Sequence, residues 1–307
     1  MIIERFHPIG IPGTPWGAAE KAKWFEGRKR QRNYKTDVLA KLERLGPGFQ
    51  VEQIGALSID PQRYPLFAVA SRKVVAGAPW VLVTGGVHGY ETSGVQGALA
   101  FLSTVASGYL ERVNLVVAPC VSPWAYEVIN RWNAQAIDPN RSFVPNSPAE
   151  ESRALMQLVA NLERSGVEFL VHIDLHETTD TDESEFRPAK AARDGVAFEP
   201  GTIPDGFYTV GDEENPQPEF QAAIVKGVEA VTHIAPPDAN GQIIGADVTQ
   251  HGVINYAYKK LGLCGGMTNA RFTTTTEVYP DSARVTAAIC NAAQVAAVRA
   301  ALDHVLA

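Results

Sequence analysis

WVLVTGGVHGYE, residues 80–91, is the stretch from which the rest of the chain can be read. The apolar run Val81-Leu82-Val83 reads as a buried strand. Gly85 and Gly86 end it, and His88 and Glu91 follow with two residues between them. Beyond them, residues 92–106 have helical periodicity, with Val95, Leu99, Leu102 and Ala106 on one face. An imidazole and a carboxylate therefore sit at a strand-to-helix turn, at the carboxyl end of a buried strand, where open α/β sheets place their ligands. Neutral imidazole and carboxylate are two of the usual zinc ligands, and a tight turn lets both converge on one ion. A lone His-x-x-Glu is a weak signal, so the chain has to supply a third ligand and a use for the metal.

Composition sets the outer bounds. The chain has 307 residues, 45% of them hydrophobic and 20% charged, ordinary values for a globular α/β protein. A net charge of −7 argues against nucleic acid or an anionic membrane as the main partner. No apolar run is long enough to span a bilayer, and the opening MIIERFHPIGIPG lacks the basic-then-apolar order of an export signal. Cys120, Cys264 and Cys290 are widely spaced and odd in number, which suits reduced, buried thiols in a cytoplasmic protein rather than a disulfide framework.

Either side of the opening stretch the chain alternates. Residues 1–32 are interrupted by Pro8, Pro12 and Pro15 and read as an irregular segment anchored by Trp16 and Trp24. The basic run Arg28-Lys29-Arg30, with Arg32, reads as a solvated face. Residues 33–45 predict a short helix, and 49–57 and 65–71 a strand hairpin at a sheet edge. Strands follow at 81–86, 113–119, 167–175, 207–211 and 272–278. Helices are expected at 92–106, at 147–164 with a Ser147–Glu150 capping box, at 219–232 and at 281–306. In the last of these, Val285, Ile289, Ala292, Val295, Val298 and Leu302 form the expected inward stripe. The stretch 177–204 is polar and acidic and reads as a long loop. This alternation predicts a single α/β domain over residues 33–307: a mixed, mostly parallel β-sheet with helices on both faces.

The third ligand is sought in His172-Ile173-Asp174-Leu175-His176-Glu177, the end of a strand. A period of two puts His172, Asp174 and His176 on one side. His172 reads as a hydrogen-bonded core histidine. His176 opens into the polar loop at the same sheet edge as His88 and Glu91. Two His and one carboxylate leave a tetrahedral zinc one open position, the mark of a catalytic rather than a structural site. The loop after 113–119 carries Arg131, Asp138, Asn140 and Arg141. Arginine suits bidentate capture of a carboxylate or polarisation of a carbonyl. Asp138 can accept the outer N–H of a metal-bound histidine. Glu277 ends the run Thr273-Thr274-Thr275-Thr276 in a strand, a place glutamate disfavours. Facing inward it would serve as a general base, and facing outward it is an ordinary edge residue.

HGYE, DPNR, DLHE and TTTTEVYP, in that order, resemble the zinc metallocarboxypeptidase family of the carboxypeptidase A type, with features of its succinylglutamate desuccinylase/aspartoacylase branch. The resemblance implies a carboxypeptidase-like α/β fold and one Zn2+ held by His88, Glu91 and His176. It implies Glu277 as the base, Arg131 as the group that polarises the scissile carbonyl, and Asp138 as the residue orienting His88. Asn140 and Arg141 would hold the substrate's free carboxylate. A tyrosine closing over the substrate would be Tyr256 or Tyr258. The implied activity is a zinc-dependent hydrolase removing the C-terminal amino acid from a peptide. The alternatives are an N-acyl amino acid deacylase and an inactive relative that binds metal or peptide. Nothing in the sequence indicates the oligomeric state.

Overall fold

The computed structural model describes residues 5–307. Its centre is an eight-stranded mixed sheet in the order β1-β2-β4-β3-β5-β10-β6-β9. The strands are β1 (Phe49–Ala56), β2 (Pro65–Ser71), β3 (Trp80–Gly85), β4 (Asn114–Ala118), β5 (Phe169–Glu177), β6 (Tyr208–Asp212), β9 (Val253–Tyr256) and β10 (Phe272–Val278), with a small separate hairpin of β7 (Gln242–Ile243) and β8 (Ala246–Asp247). Pairing is parallel through β4, β3, β5 and β10 and again between β6 and β9. It is antiparallel in the β1–β2–β4 edge and between β10 and β6. The central strands are buried along nearly their whole length, as the apolar runs at Val81–Val83 and in β5 require. The sheet is the expected mixed one, with helices on both faces.

The helices are α1 (Ala18–Glu26), α2 (Ala40–Leu42), α3 (Thr92–Thr104), α4 (Pro123–Val128), α5 (Glu150–Arg164), α6 (Arg187–Asp194), α7 (Pro218–Glu229), α8 (Tyr258–Leu261) and α9 (Ala287–Val305). Val95, Leu99 and Leu102 of α3 pack with Val81, Val83, Ile173 and Leu175 and with the Ala-rich α9. On the opposite face Leu82, Val116 and Phe169 meet Val159 of α5. Close approach here needs glycine. A Cβ at Gly85 would fall 2.3 Å from the Gly94 carbonyl, and one at Gly94 would fall 2.4 Å from the Leu175 carbonyl. At these two positions the start of α3 lies directly on the ends of β3 and β5.

Several expectations need correction. Residues 1–32 are not irregular throughout: α1 forms, and Trp24 and Trp16 seal it onto the body beside Trp124 and Trp132. Residues 1–4 of that segment lie outside the described residues. The 177–204 stretch is not one long loop. Glu177 ends β5, and a π turn at Asp182–Phe186 leads into α6. Pro188 sits in the first turn of α6, and Glu183–Arg187 and Lys190–Asp194 pair one turn apart, support that an apolar-stripe reading does not see. The helix read at 147–164 begins later, at Glu150, and the Ser147–Glu150 box is absent. Ser147 Oγ accepts from Ala149 N instead, and Glu150 accepts from Ser58 N of the neighbouring hairpin. The last helix begins at Ala287, capped by Thr286. Its inward stripe runs through Cys290, Ala293, Gln294, Ala297 and Leu302 rather than Ile289 and Ala292. In so alanine-rich a helix the polar contacts of Gln294, to Thr276 Oγ1 and the His176 carbonyl, set the rotation. Helix α4 and strand β9 have no counterpart in the pattern. The three cysteines are buried and unbridged. Among the described residues no helix is long and apolar enough to cross a membrane.

Candidate metal centre and active site

The site is assembled where β3 and β5 end. His88 and Glu91 lie in the turn between β3 and α3, with Glu91 the residue just before the first helical turn. Gly89 lets this turn press on α4, since a Cβ there would meet Tyr126 N at 2.1 Å. His176 is next to last in β5. Donor atoms of His88, Glu91 and His176 fall within 4.8 Å of one another, and all three residues are buried. His88 Nδ1 stands 2.7 Å from Glu91 Oε1, and His176 Nδ1 stands 2.7 Å from Glu91 Oε2.

The outer nitrogens fix the tautomers. His88 Nε2 lies 2.9 Å from Asp138 Oδ1, and His176 Nε2 lies 2.6 Å from Asp174 Oδ2. Each carboxylate accepts an Nε2–H, so each Nδ1 faces Glu91 and is the nitrogen left to coordinate an ion. Burial alone would raise the Glu91 carboxyl, but the imidazoles of His176 and His88 hold it down at about 2. Burial would lower His176, yet Asp174 and Glu91 outweigh it and push the imidazole well above its ordinary range. Glu91 Oε2 is nevertheless a buried oxygen without a hydrogen bond. Two imidazole nitrogens and a buried carboxylate oxygen, all within 4.8 Å of one another, fit a divalent cation with N/O preference.

The strand register explains the rest. Glu277 of β10 sits beside His176, and Tyr208 of β6 lies on its other side. Thr275 pairs with Asp174, and Thr84 of β3 is also in register with Asp174. One face of the sheet thus carries Thr84, His172, Asp174, His176, Thr275, Glu277 and Tyr208. Glu277 faces inward, accepting from Thr178 Oγ1 at 3.0 Å, and burial raises its carboxyl to about 8. His172 is the expected core histidine, between Thr84 Oγ1 and Thr268 Oγ1 at 3.3 Å each.

A cavity of ≈ 210 Å³ opens over this face, lined by His88, His176, Glu277, Arg131, Asn140 and Arg141 among others. Asn140 Oδ1 accepts from Cys264 N at 2.7 Å, which turns the amide nitrogen toward the site, 3.4 Å from His176 Nε2. Arg141 is exposed at the cavity mouth. Tyr256 lines the cavity, whereas Tyr258 is fully buried with its hydroxyl tied to the Val210 carbonyl and Thr275. The inner wall, from Val210, Ile244 and Leu263 with Thr275, carries no charge.

Four residues here were not given roles from sequence. Asp174 had a signal, being an aspartate on a buried strand face two residues before His176. Glu177 caps α3, accepting from Thr92 N at 2.9 Å and Ser93 N at 2.7 Å. Tyr90 and Asp182 hold Arg131: its Nη1 donates to Tyr90 Oη at 3.2 Å and to Asp182 Oδ1 at 3.3 Å, while Nε donates to Asp138 at 3.2 Å. The guanidinium also lies 4.3 Å from the Phe186 ring centroid. Asp182 comes from the acidic stretch after β5, and nothing in its spacing connects it to Arg131.

Comparison with known proteins bears on the fold and on one segment of the chain. A family model, the succinylglutamate desuccinylase/aspartoacylase catalytic domain, matches residues 78–190, which include all three candidate ligands. No curated protein matches the chain. Among solved structures, a candidate metallopeptidase of Shewanella amazonensis SB2B superposes with a TM-score of 0.63 at 22% identity, over 88% of this chain and 91% of that one. A metallo-carboxypeptidase of Burkholderia cenocepacia gives 0.58 at 15% identity, over 95% and 70%. One from Pseudomonas aeruginosa gives 0.55 at 17%, over the same shares. The chain is therefore a single α/β domain with a carboxypeptidase-like fold. Its segment 78–190 is similar to the succinylglutamate desuccinylase/aspartoacylase catalytic domain.

Proposed function

We propose that this protein is a zinc-dependent carboxypeptidase. The observation that carries the reading is the placement of Glu277 beside His176 on the neighbouring strand, in a cavity that His88 also lines, with the donor atoms of His88, Glu91 and His176 clustered at its floor within 4.8 Å of one another. His88, Glu91 and His176 would hold the ion, which supplies Lewis acidity toward a carbonyl and lowers the pKa of a water. Glu277, a proton acceptor tuned by burial, takes the proton from the attacking water and returns it to the leaving amine. Arg131 is kept charged and aimed by Asp138 and Asp182, and offers its guanidinium to the developing oxyanion. Arg141 and the amide NH2 of Asn140 receive the terminal carboxylate of the substrate. Tyr256 stands at the wall where it can close over the bound residue. The uncharged inner wall favours an apolar or small terminal side chain.

The N-acyl amino acid deacylase reading stays open because the family model matched over residues 78–190 covers enzymes of that branch. A panel of C-terminally varied dipeptides set against N-acyl amino acids separates the two. Glu277→Gln is expected to keep the metal, by elemental analysis, and to lose about 10²–10⁴-fold in kcat. Wild-type turnover in that variant would remove Glu277 from the mechanism. Metal-loaded wild-type protein inert toward the whole panel would favour a binding protein.

A further inference from the structure

A second, larger cavity of ≈ 820 Å³ adjoins the first and shares Arg131 and Phe186 with it. One wall comes from the N-terminal segment, residues 6–8 and 24–31, and the other from Tyr90, residues 128–132 and the start of the segment after β5. We propose that this cavity receives the part of a substrate that precedes the scissile bond, and that this part is an acidic peptide. The proposal rests on the hydrolase reading above and narrows it.

Charge is the first argument. Arg28, Lys29 and Arg30 lie together on the wall, and Glu185 is the one carboxylate lining the cavity. Arg28 donates to the Trp24 carbonyl and lies over the Trp24 ring. Among the described residues, neither it nor Lys29 nor Arg30 pairs with a carboxylate. In a chain of net charge −7, three successive cations on a concave wall stand against the general trend, and concavity strengthens their field. The second argument is the uncharged part of the lining: Trp24, Tyr90 and Trp132 give aromatic surface beside the cations, suited to the backbone and stems of a peptide.

Size is the third. The ≈ 210 Å³ cavity suits one terminal residue, whereas ≈ 820 Å³ falls in the range, ~300–1,000 Å³, of pockets that enclose ligands of several hundred daltons. A single short acyl group would leave it largely empty.

The test uses pentapeptides with a common C-terminal residue and Glu, Gln or Lys in their first three positions. Hydrolysis and direct calorimetric binding are measured on the wild type and on the double variant Lys29→Glu/Arg30→Glu. Both positions are exposed and lie outside the catalytic groups. The Glu peptide is expected to show about tenfold higher kcat/KM than the Gln peptide, through KM, with the advantage fading at high salt. The double variant should reverse the order to favour Lys. Equal kcat/KM for Glu and Gln peptides in the wild type, or an order untouched by the double variant, overturns the proposal. If no peptide is cleaved, the carboxypeptidase reading fails by itself. Binding then decides: Glu-peptide binding lost in the double variant upholds an acidic-peptide site, and absence of binding removes it.

Discussion

At His176 two carboxylates compete for one imidazole, and the outcome sets what the site can hold. Asp174 takes the Nε2–H at 2.6 Å, which leaves Nδ1 for the position shared with Glu91. Asp174→Asn removes the charge that fixes this tautomer while keeping the side chain's shape. It is expected to weaken zinc affinity by about 10–100-fold, read by competition with a chromophoric chelator. Unchanged affinity would mean that Asp174 serves packing alone. Metal binding should also release a proton. The anions around His176 hold its proton at pH values above the ordinary imidazole range, so the ion and the proton compete for Nδ1. His88 is oriented the same way by Asp138, which Arg131 and His88 together keep well below the usual carboxylate range against the effect of burial.

At the scale of the element, the link between β5 and α3 matters most. Glu177 reaches from the last position of β5 to the free N–H groups of Thr92 and Ser93, the first turn of the helix that begins just after Glu91. One carboxylate therefore ties the strand bearing His176 to the turn bearing Glu91, and sits at the positive end of α3. Glu177→Ala leaves the buried Ser93 N–H and the half-buried Thr92 N–H without acceptors. It is expected to cost about 1–3 kcal/mol in urea unfolding of the metal-free protein and to weaken metal binding as well. A stability loss with intact metal affinity would show that the cap does not position Glu91. DLHE was legible as a strand end with a histidine ligand, but the job of its final glutamate was not. A cap across 84 and 85 residues of sequence is visible only once the two ends meet in space.

For the molecule as a whole, buried acids shape the pH dependence of stability. Glu151 near the start of α5 is buried, with Oε1 unpartnered and Oε2 3.4 Å from Asn133 Nδ2. Burial raises its carboxyl from 4.5 to about 7. The folded state then holds this proton more tightly than the unfolded chain. Stability is therefore fully present below about 4.5, falls as pH rises from there to about 7, and levels off above. Glu151→Gln removes that decline. At pH 8 the variant should exceed the wild type by up to about 3 kcal/mol, and at pH 4 the two should agree. Urea midpoints at both pH values check this, and parallel pH profiles would refute it. Glu177, also raised to about 7 by burial, leaves a residual slope of the same sign.

The amino-acid sequence alone determined the mixed sheet with helices on both faces, the hairpin edge, and the convergence of His88, Glu91 and His176. These follow from local signals: apolar runs ended by glycine, period-two alternation in β5, and the rule that ligands gather at strand carboxyl ends. Tertiary structure alone decided the helices hidden in the polar stretches around α1, α4 and α6, the rotation of α9, and the polar contacts that make the site work. Asp182 and Tyr90 on Arg131, Glu177 on α3, and the basic run Arg28–Arg30 on one cavity with Arg131 bring together residues far apart in sequence. Periodicity reports which face of an element is apolar. Which buried donor meets which acceptor depends on strand order, register and the approach of neighbouring loops, and these are fixed only when the chain packs.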